Sequence, residues 1–259
     1  MKRTALITGA SAGFGAEFAR IFAENGHNLV LAARRLDRMN VLAEDLRSKH
    51  KVEIRVLGKD LSKMEDVQSV YDILQKEKIR IDFLVNNAGL GDFGIFHEAK
   101  WEKHEQILDV NIKALTKLTY LFVKPMVENG FGKILNVAST AAFQPGPLMA
   151  IYYASKAYVL SFSEAVSNEL SGTGVTVTIL CPGASESEFL EVANLGESKL
   201  FTWKKIPTSK EVAEYGYKEM MKDSMTVIPG FMNKAGAKAG KFVPRKLVLK
   251  IVRKIQEKK

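Results

Sequence analysis

A short apolar strand running directly into Gly9-Ala-Ser-Ala-Gly13-Phe-Gly15, and from there into an amphipathic helix, leaves few folds open to this chain. Thr4-Ala-Leu-Ile-Thr8 reads as the strand. Ala16 to Asn25 reads as the helix, with Phe18, Ile21 and Phe22 on its apolar face. Such a turn brings bare backbone N–H groups and the positive end of a helix dipole to one point, where a phosphate binds. The spacing is Gly-x-x-x-Gly-x-Gly rather than the better-known Gly-x-Gly-x-x-Gly, and glycines so placed also serve tight packing alone.

The alternation continues. Asn28-Leu-Val-Leu-Ala32 is a second strand, ending in Ala33-Arg34-Arg35, and Leu36 to Ser48 has helical spacing. Val52 to Leu57 alternates as a strand and leads to Asp60-Leu61; Asp60 suits either a helix cap or an adenine contact. Ile81 to Val85 is a fourth strand, delivering Asn86-Asn87-Ala88-Gly89, residues that also favour turns for their own sake. A long helix, Trp101 to Val127, holds Asn111 among apolar neighbours, where an amide needs a partner, binds a water or distorts the helix. Ile134 to Ala138 is a fifth strand, Tyr153 to Leu170 a helix, Val175 to Cys181 a sixth strand stopped by Pro182-Gly183, and Thr226 to Gly230 a last strand. Strands alternating with helices imply an α/β fold: a Rossmann-like, doubly wound parallel sheet in a single domain, with ligands at the C-terminal strand edges.

At one such edge stands Ser139, followed 13 residues later by Tyr152 and then, four further on, Lys156. Two residues four apart project from one helix face, so a hydroxyl, a phenol and an ammonium can converge. A free tyrosine has a pKa of about 10, and a lysine cation favours its phenolate, which suits proton exchange with a carbinol oxygen. Tyr152 is the expected acid or base, Lys156 its tuner, and Ser139 the donor to the substrate oxygen. Taken alone, Tyr-x-x-x-Lys is also a common helix-surface pair. At the second strand end, where an acid would hold the 2′-hydroxyl of NAD, Ala33 is followed by two arginines whose guanidinium groups match a 2′-phosphate; NADP(H) is expected over NAD(H). With His97 and His104 isolated, no metal site is expected.

Charge separates the chain into two parts. Of 38 basic and 29 acidic residues, ten basic and one acidic lie from Lys234 onward, so the tail carries the whole net charge of +9. The neutral body gives no electrostatic reason to expect nucleic acid. A single cysteine, Cys181, excludes an internal disulfide framework and fits a reducing cytoplasm. The tail is amphipathic, with Val243, Leu247, Val248, Ile251 and Ile255 on one stripe and Lys246, Lys250, Arg253 and Lys254 opposite. It suits packing on its own core, a subunit contact, a membrane surface through residues 242–259, or an RNA-binding arm.

As a set, Thr8-Gly9-x-x-x-Gly13-x-Gly15, Asn86-Asn-Ala-Gly89, Asn111, Ser139, Tyr152-x-x-x-Lys156 and Pro182-Gly183 resemble the short-chain dehydrogenase/reductase family over residues 4 to about 187. The resemblance implies an NADP-dependent oxidoreductase that interconverts a carbonyl and a secondary alcohol, through an Asn111–Ser139–Tyr152–Lys156 tetrad. Asn111 would anchor a water in a relay to Lys156, which would also hold the nicotinamide ribose beside Tyr152. The turn Gly9, Ser11, Ala12, Gly13, Phe14, Gly15 would cradle the pyrophosphate, and Arg34 and Arg35 the 2′-phosphate. Asp60 and Leu61 would meet the adenine, Asn87, Ala88 and Gly89 the adjoining ribose region, and Pro182, Gly183 and Ser185 the carboxamide. A homodimer or homotetramer is implied as well. Residues 1–233 would form the catalytic domain and 234–259 a separate tail. A lid over 184–207, with Phe189, Leu195, Phe201 and Trp203, suits a hydrophobic substrate. The ending resembles a subgroup of acyl-chain reductases and hydroxysteroid dehydrogenases, and Trp101-Glu-Lys-His104 is similar to some bacterial bile-acid members. The competing classes are a catalytically idle dinucleotide sensor or scaffold on the same fold, and an acyl-chain reductase docked on a membrane by its tail.

Overall fold

The computed structural model describes residues 2–186, 188, 206–239 and 243–256. In chain order these form β1 (Thr4–Thr8), α1 (Gly13–Glu24), β2 (Asn28–Ala33), α2 (Leu36–His50), β3 (Ile54–Gly58), α3 (Met64–Lys76), β4 (Phe83–Asn86), α4 (Trp101–Leu108), α5 (Leu115–Glu128), β5 (Gly132–Val137), α6 (Ala150–Glu169) and β6 (Val175–Leu180). Helix α7 (Ser209–Met221), strand β7 (Thr226–Val227), and helices α8 (Phe231–Ala239) and α9 (Arg245–Gln256) follow. The seven described strands make one sheet in the order β3-β2-β1-β4-β5-β6-β7, parallel throughout.

The expected α/β sheet is therefore present. Each strand sends alternate side chains to opposite faces, so β1 gives Ala5 and Ile7 to one core and Leu6 to the other. Phe18 and Phe22 of α1, Met39 of α2 and Met220 of α7 close the first core. Val70 of α3 with Phe122 and Met126 of α5 close the second. Strand order reverses between β1 and β4, opening the crevice where such sheets bind ligands.

Several element bounds differ from the sequence reading. The third strand runs to Gly58 and begins at Ile54, and the fourth begins at Phe83 rather than Ile81. The last strand shrinks to two residues, because Pro229 supplies its carbonyl to the Asn233 side chain of α8 instead of extending a ladder. The single helix expected over Trp101 to Val127 is interrupted by a π turn, Asp109–Ala114, centred near Asn111.

The tail corrects its predicted stripe. Helix α9 buries Val248, Val252 and Gln256, while Leu247 and Ile251 are 49% and 46% exposed. Val248 and Val252 join Ala141, Met149 and Tyr153, with Phe93, Tyr152 and Val243 packed alongside. A helix whose apolar arc is wider than one stripe is oriented by what it meets, and here it meets Tyr153 of α6. No described helix is long and apolar enough to cross a membrane.

Candidate active site

Five strand ends and one helix line a single cleft of about 320 Å³. Gly9, Ala12, Gly13 and Phe14 follow β1; Arg34 and Arg35 follow β2; Asn87, Ala88, Gly89 and Leu90 follow β4. Val137 to Ala141 come from the end of β5, and Pro182 to Ser185 with Glu188 follow β6. Met149, Tyr152, Tyr153 and Lys156 come from the start of α6.

The three glycines of the first turn divide the work. A Cβ on Gly15 would stand 2.3 Å from the Gly9 carbonyl oxygen, and one on Gly9 would stand 2.9 Å from Asn87 Nδ2. Close backbone approach requires both. Gly13, with φ +53°, turns the chain into α1 and lines the cleft. Helix α1 has no side-chain cap at Ala12 and no acid in its first turn, so its leading N–H groups are left for an anion from outside. That donor set, with the arginines beyond it, fits the phosphates of a dinucleotide. Thr8 fixes the split between β1 and β4: its Oγ1 accepts from the amides of Asn87 (2.9 Å) and Ala88 (3.0 Å) and donates to the Val85 carbonyl (3.2 Å). Asn87 donates its side-chain amide to the Thr8 carbonyl at 2.8 Å, so it holds the turn rather than reaching freely into the cleft.

Helix α6 is aimed by the turn before it. Gly146 carries no side chain where a Cβ would meet the Tyr153 ring at 2.2 Å, and Leu148 takes φ +69°, a conformation costly for a leucine. Tyr152 is hydrogen-bonded to Ser139, and burial pushes its phenol up to about 12 against the lowering effect of that bond. The sequence reading has Lys156 drawing the phenol down; here loss of water outweighs any such pull. Lys156, almost fully buried, donates to the Val137 carbonyl at 2.8 Å, and burial lowers its ammonium to about 8. Its Nζ lies 5.8 Å from the centre of the Tyr152 ring.

Asn111 does not line the cleft but stands behind it. Its Oδ1 accepts from the Leu90 amide (2.8 Å), and its Nδ2 donates to the Leu90 carbonyl (2.9 Å) and to Ser155 Oγ (2.9 Å). A Cβ on Gly89 would stand 3.4 Å from Lys156 Nζ and 3.5 Å from Asn111 Oδ1, so both groups flank the strip of backbone after β4. A carbonyl oxygen has a second lone pair, which leaves Oδ1 able to accept from a water. The π turn is what swings this amide towards Leu90.

Ser11, Gly15, Asp60 and Leu61 also fall outside the cleft lining. Ser11 touches its edge by accepting from Arg35 Nε at 3.2 Å. Asp60 closes a local turn, accepting from Ser62 N (3.1 Å) and Ser62 Oγ (2.9 Å). Ser185 is buried and lines the cleft, and Gly183 lies against Asn233 of α8, whose side chain a Cβ would meet at 2.6 Å. Phe189, Leu195, Phe201 and Trp203 lie outside the described residues. Leu90, Met149, Tyr153 and Glu188 are lining residues that the sequence reading passed over. The doubled tyrosine was the visible signal for Tyr153; nothing local marks Glu188. Among the described residues no group of three potential metal ligands occurs.

A phenol that stays protonated near neutral pH, a serine bonded to it and a buried ammonium, all beside an anion-accepting turn, can deliver a proton to a carbonyl oxygen. Residues 3–198 match the family model described as short chain dehydrogenase. The chain is 39% identical over 205 residues to sulfoacetaldehyde reductase 2 of Chromohalobacter salexigens, covering 76% of this chain and 78% of that one. It is 31% identical over 231 residues to the 7beta-hydroxysteroid dehydrogenase of Collinsella aerofaciens, covering 88% and 86%. Among solved structures, the short-chain dehydrogenase from Sphingobium yanoikuyae in complex with NADPH superposes with a TM-score of 0.83 at 33% identity, over 93% of this chain and 94% of that one.

Proposed function

The chain belongs to the short-chain dehydrogenase family, oxidoreductases acting on CH–OH groups, and on that premise we propose that it reduces the carbonyl of a small, apolar substrate to a secondary alcohol with NADP(H), reversibly. The observation that carries this reading is the meeting of Ser139, Tyr152 and Lys156 in the cleft that also holds the uncapped start of α1 and Arg34–Arg35. Relatives named for an aldehyde and for a hydroxysteroid support the reaction type, interconversion of a carbonyl and an alcohol.

The bound nicotinamide supplies the hydride. Everything else falls to the chain. Tyr152, protonated at neutral pH because burial holds it at about 12, gives its proton to the carbonyl oxygen. Ser139 orients both oxygens, standing within hydrogen-bond reach of the phenol while anchored to the Ala141 amide at 3.1 Å. Lys156, fixed by the Val137 carbonyl, stabilises the phenolate left behind, and at about 8 its amine is still mostly cationic at pH 7. Asn111 holds the Leu90 backbone and offers Oδ1 to a water leading towards Lys156. Gly9 to Phe14 take the pyrophosphate; Arg34 and Arg35 take the 2′-phosphate; Asp60 and Leu61 border the adenine; Asn87 to Gly89 border the ribose; Pro182, Gly183 and Ser185 meet the carboxamide. Apolar Met149, Tyr153 and Ala141, backed by Val248 and Val252, favour a hydrophobic substrate. In this reading residues 1–233 are the catalytic domain with a lid over 184–207. Residues 234–259 are then a separate tail, whose helix α9 backs Met149 and Tyr153, on a cytoplasmic homodimer or homotetramer.

Tyr152→Phe tests the assignment. Turnover with NADPH and hydrophobic ketones should fall by about 10²–10⁴, while NADPH still quenches or shifts nucleotide fluorescence on titration with an affinity close to that of the unaltered protein. Retained turnover would show that Tyr152 is not the proton donor, and NADPH binding without turnover in the unaltered protein would leave it a catalytically idle dinucleotide-binding protein.

A further inference from the structure

The basic end of the cleft is already filled by an acid of this chain. Glu188 accepts from Arg35 Nη1 through Oε2 at 2.7 Å and from Arg38 Nη1 through Oε1 at 2.5 Å. Each oxygen of one carboxylate is thereby committed to a different guanidinium, across some 150 positions of sequence. Arg35 is held from its other side by Ser11. Arg35 and Glu188 both line the cleft, next to Arg34. The hydrogen bonds from Arg35 and then Arg38 hold the Glu188 carboxyl below the usual carboxylate range. Its side chain nevertheless stays 41% exposed, and those of Arg35 and Arg38 are 42% and 48% exposed. An ion pair this wet is weak and can be exchanged for a better anion.

A 2′-phosphate is such an anion. It carries more charge than a carboxylate and three oxygens for guanidinium forks. We propose that Glu188 is a cofactor-specificity residue whose carboxylate occupies the Arg35–Arg38 seat, so that NADP(H) binds by displacing it while NAD(H) leaves it in place. The proposal rests on the NADP(H) reading above and adds Arg38 to the phosphate-binding set. The acid narrows the preference that the arginines create. With the seat filled, a nucleotide lacking the phosphate finds Arg35 and Arg38 already paired; one bearing it must first break two ion pairs.

The experiment is a pair of fluorescence titrations, NADPH and NADH, on the whole protein and its Glu188→Gln, Glu188→Ala, Arg38→Ala and Arg34→Ala variants. Glu188→Gln and Glu188→Ala should tighten NADPH by about three- to tenfold, the scale of one exposed ion-pair network, and leave NADH within about twofold. Arg38→Ala should weaken NADPH alone. Unchanged or weaker NADPH binding in both Glu188 variants overturns the proposal, because the acid then does not compete for the seat. The reading beneath it fails separately. If the unaltered protein prefers NADPH and Arg34→Ala abolishes that preference while Glu188→Gln leaves the ratio unchanged, the cofactor reading stands and this proposal falls. If the unaltered protein has no preference but Glu188→Gln acquires one for NADPH, the proposal stands and the reading falls. If neither shows a preference, both fall.

Discussion

The turn after β1 lines the cleft and helix α9 backs residues that line it, and the two do so by opposite means. Around Gly9–Gly15 the wall is backbone: glycines let β1, α1 and the Asn87 turn approach within contact distance, and function lies in N–H groups that any sequence with those glycines would present. Around α9 the wall is side chains alone, two valines and a glutamine reaching Met149, Ala141 and Tyr153 from about 100 positions away. Chemistry built on backbone tolerates little change in shape. A wall built on side chains can be rebuilt, and substrate choice is the property that a family of shared chemistry has to vary.

The comparison breaks most visibly if the tail is removed. Deleting residues 245–259 should cost about 2–4 kcal/mol, the burial of Val248 and Val252 against Tyr153, read as the shift of a urea unfolding midpoint. It should raise KM for a bulky ketone about tenfold while leaving the NADPH dissociation constant within about twofold. A large loss of nucleotide affinity would show that the two walls are not independent. Gln256→Leu is the milder version: it removes the 2.5 Å bond from Nε2 to Tyr153 Oη and should cost about 1 kcal/mol.

Next in size, Gly15→Ala sharpens the other side. Its Cβ would meet Asn87 Nδ2 at 2.7 Å and backbone atoms of Gly9 at 2.3 and 2.8 Å, and backbone cannot give way as a side-chain end can. A loss of about 1–3 kcal/mol is expected, together with weakened binding of both NADPH and NADH. Gly236→Ala in α8 is the control, with nothing within 4 Å of the new Cβ, and should be neutral or slightly stabilising in the same denaturation experiment.

The smallest effect is one of pH. Lys156 titrates at about 8 when folded, against 10.5 for a free lysine, so between these values the unfolded chain holds the additional proton. Stability therefore rises with pH through that window as the penalty for a buried charge is relieved. From about pH 9 it is opposed by Cys181, which burial pushes up to about 12 and which the unfolded chain ionises first. The unaltered protein should gain up to about 1 kcal/mol between pH 8 and pH 9, and Lys156→Met should flatten that rise. An identical slope in the variant would mean that another group is responsible.

Much of the fold was legible because its signals are local. Strand runs, the glycine turn and helix spacing all depend on a few neighbouring residues, and parallel connection fixes which edge of the sheet the motifs share. Element bounds were the weaker part: β4 begins only at Phe83, although the Asp82 backbone still bonds Thr4 and Lys133 and its side chain also accepts from the Thr4 amide. The distortion at Asn111 was readable from a buried amide in a helix, but its form, a π turn turning that amide to Leu90, was not. The sequence shows that Lys156 neighbours Tyr152 but not the burial that dominates the phenol's pKa, because burial is a sum over the whole fold.

By itself, then, the sequence determined the sheet, the family of chemistry and the residues from Gly9 to Ser185 that face one edge, since each follows from short-range pattern and chain direction. Only the tertiary structure decided which face of α9 is buried and which acid answers Arg35 and Arg38. Both are contacts between segments more than 90 positions apart. Such contacts are selected by shape and charge after the sheet has formed, and no periodicity within either segment records its partner.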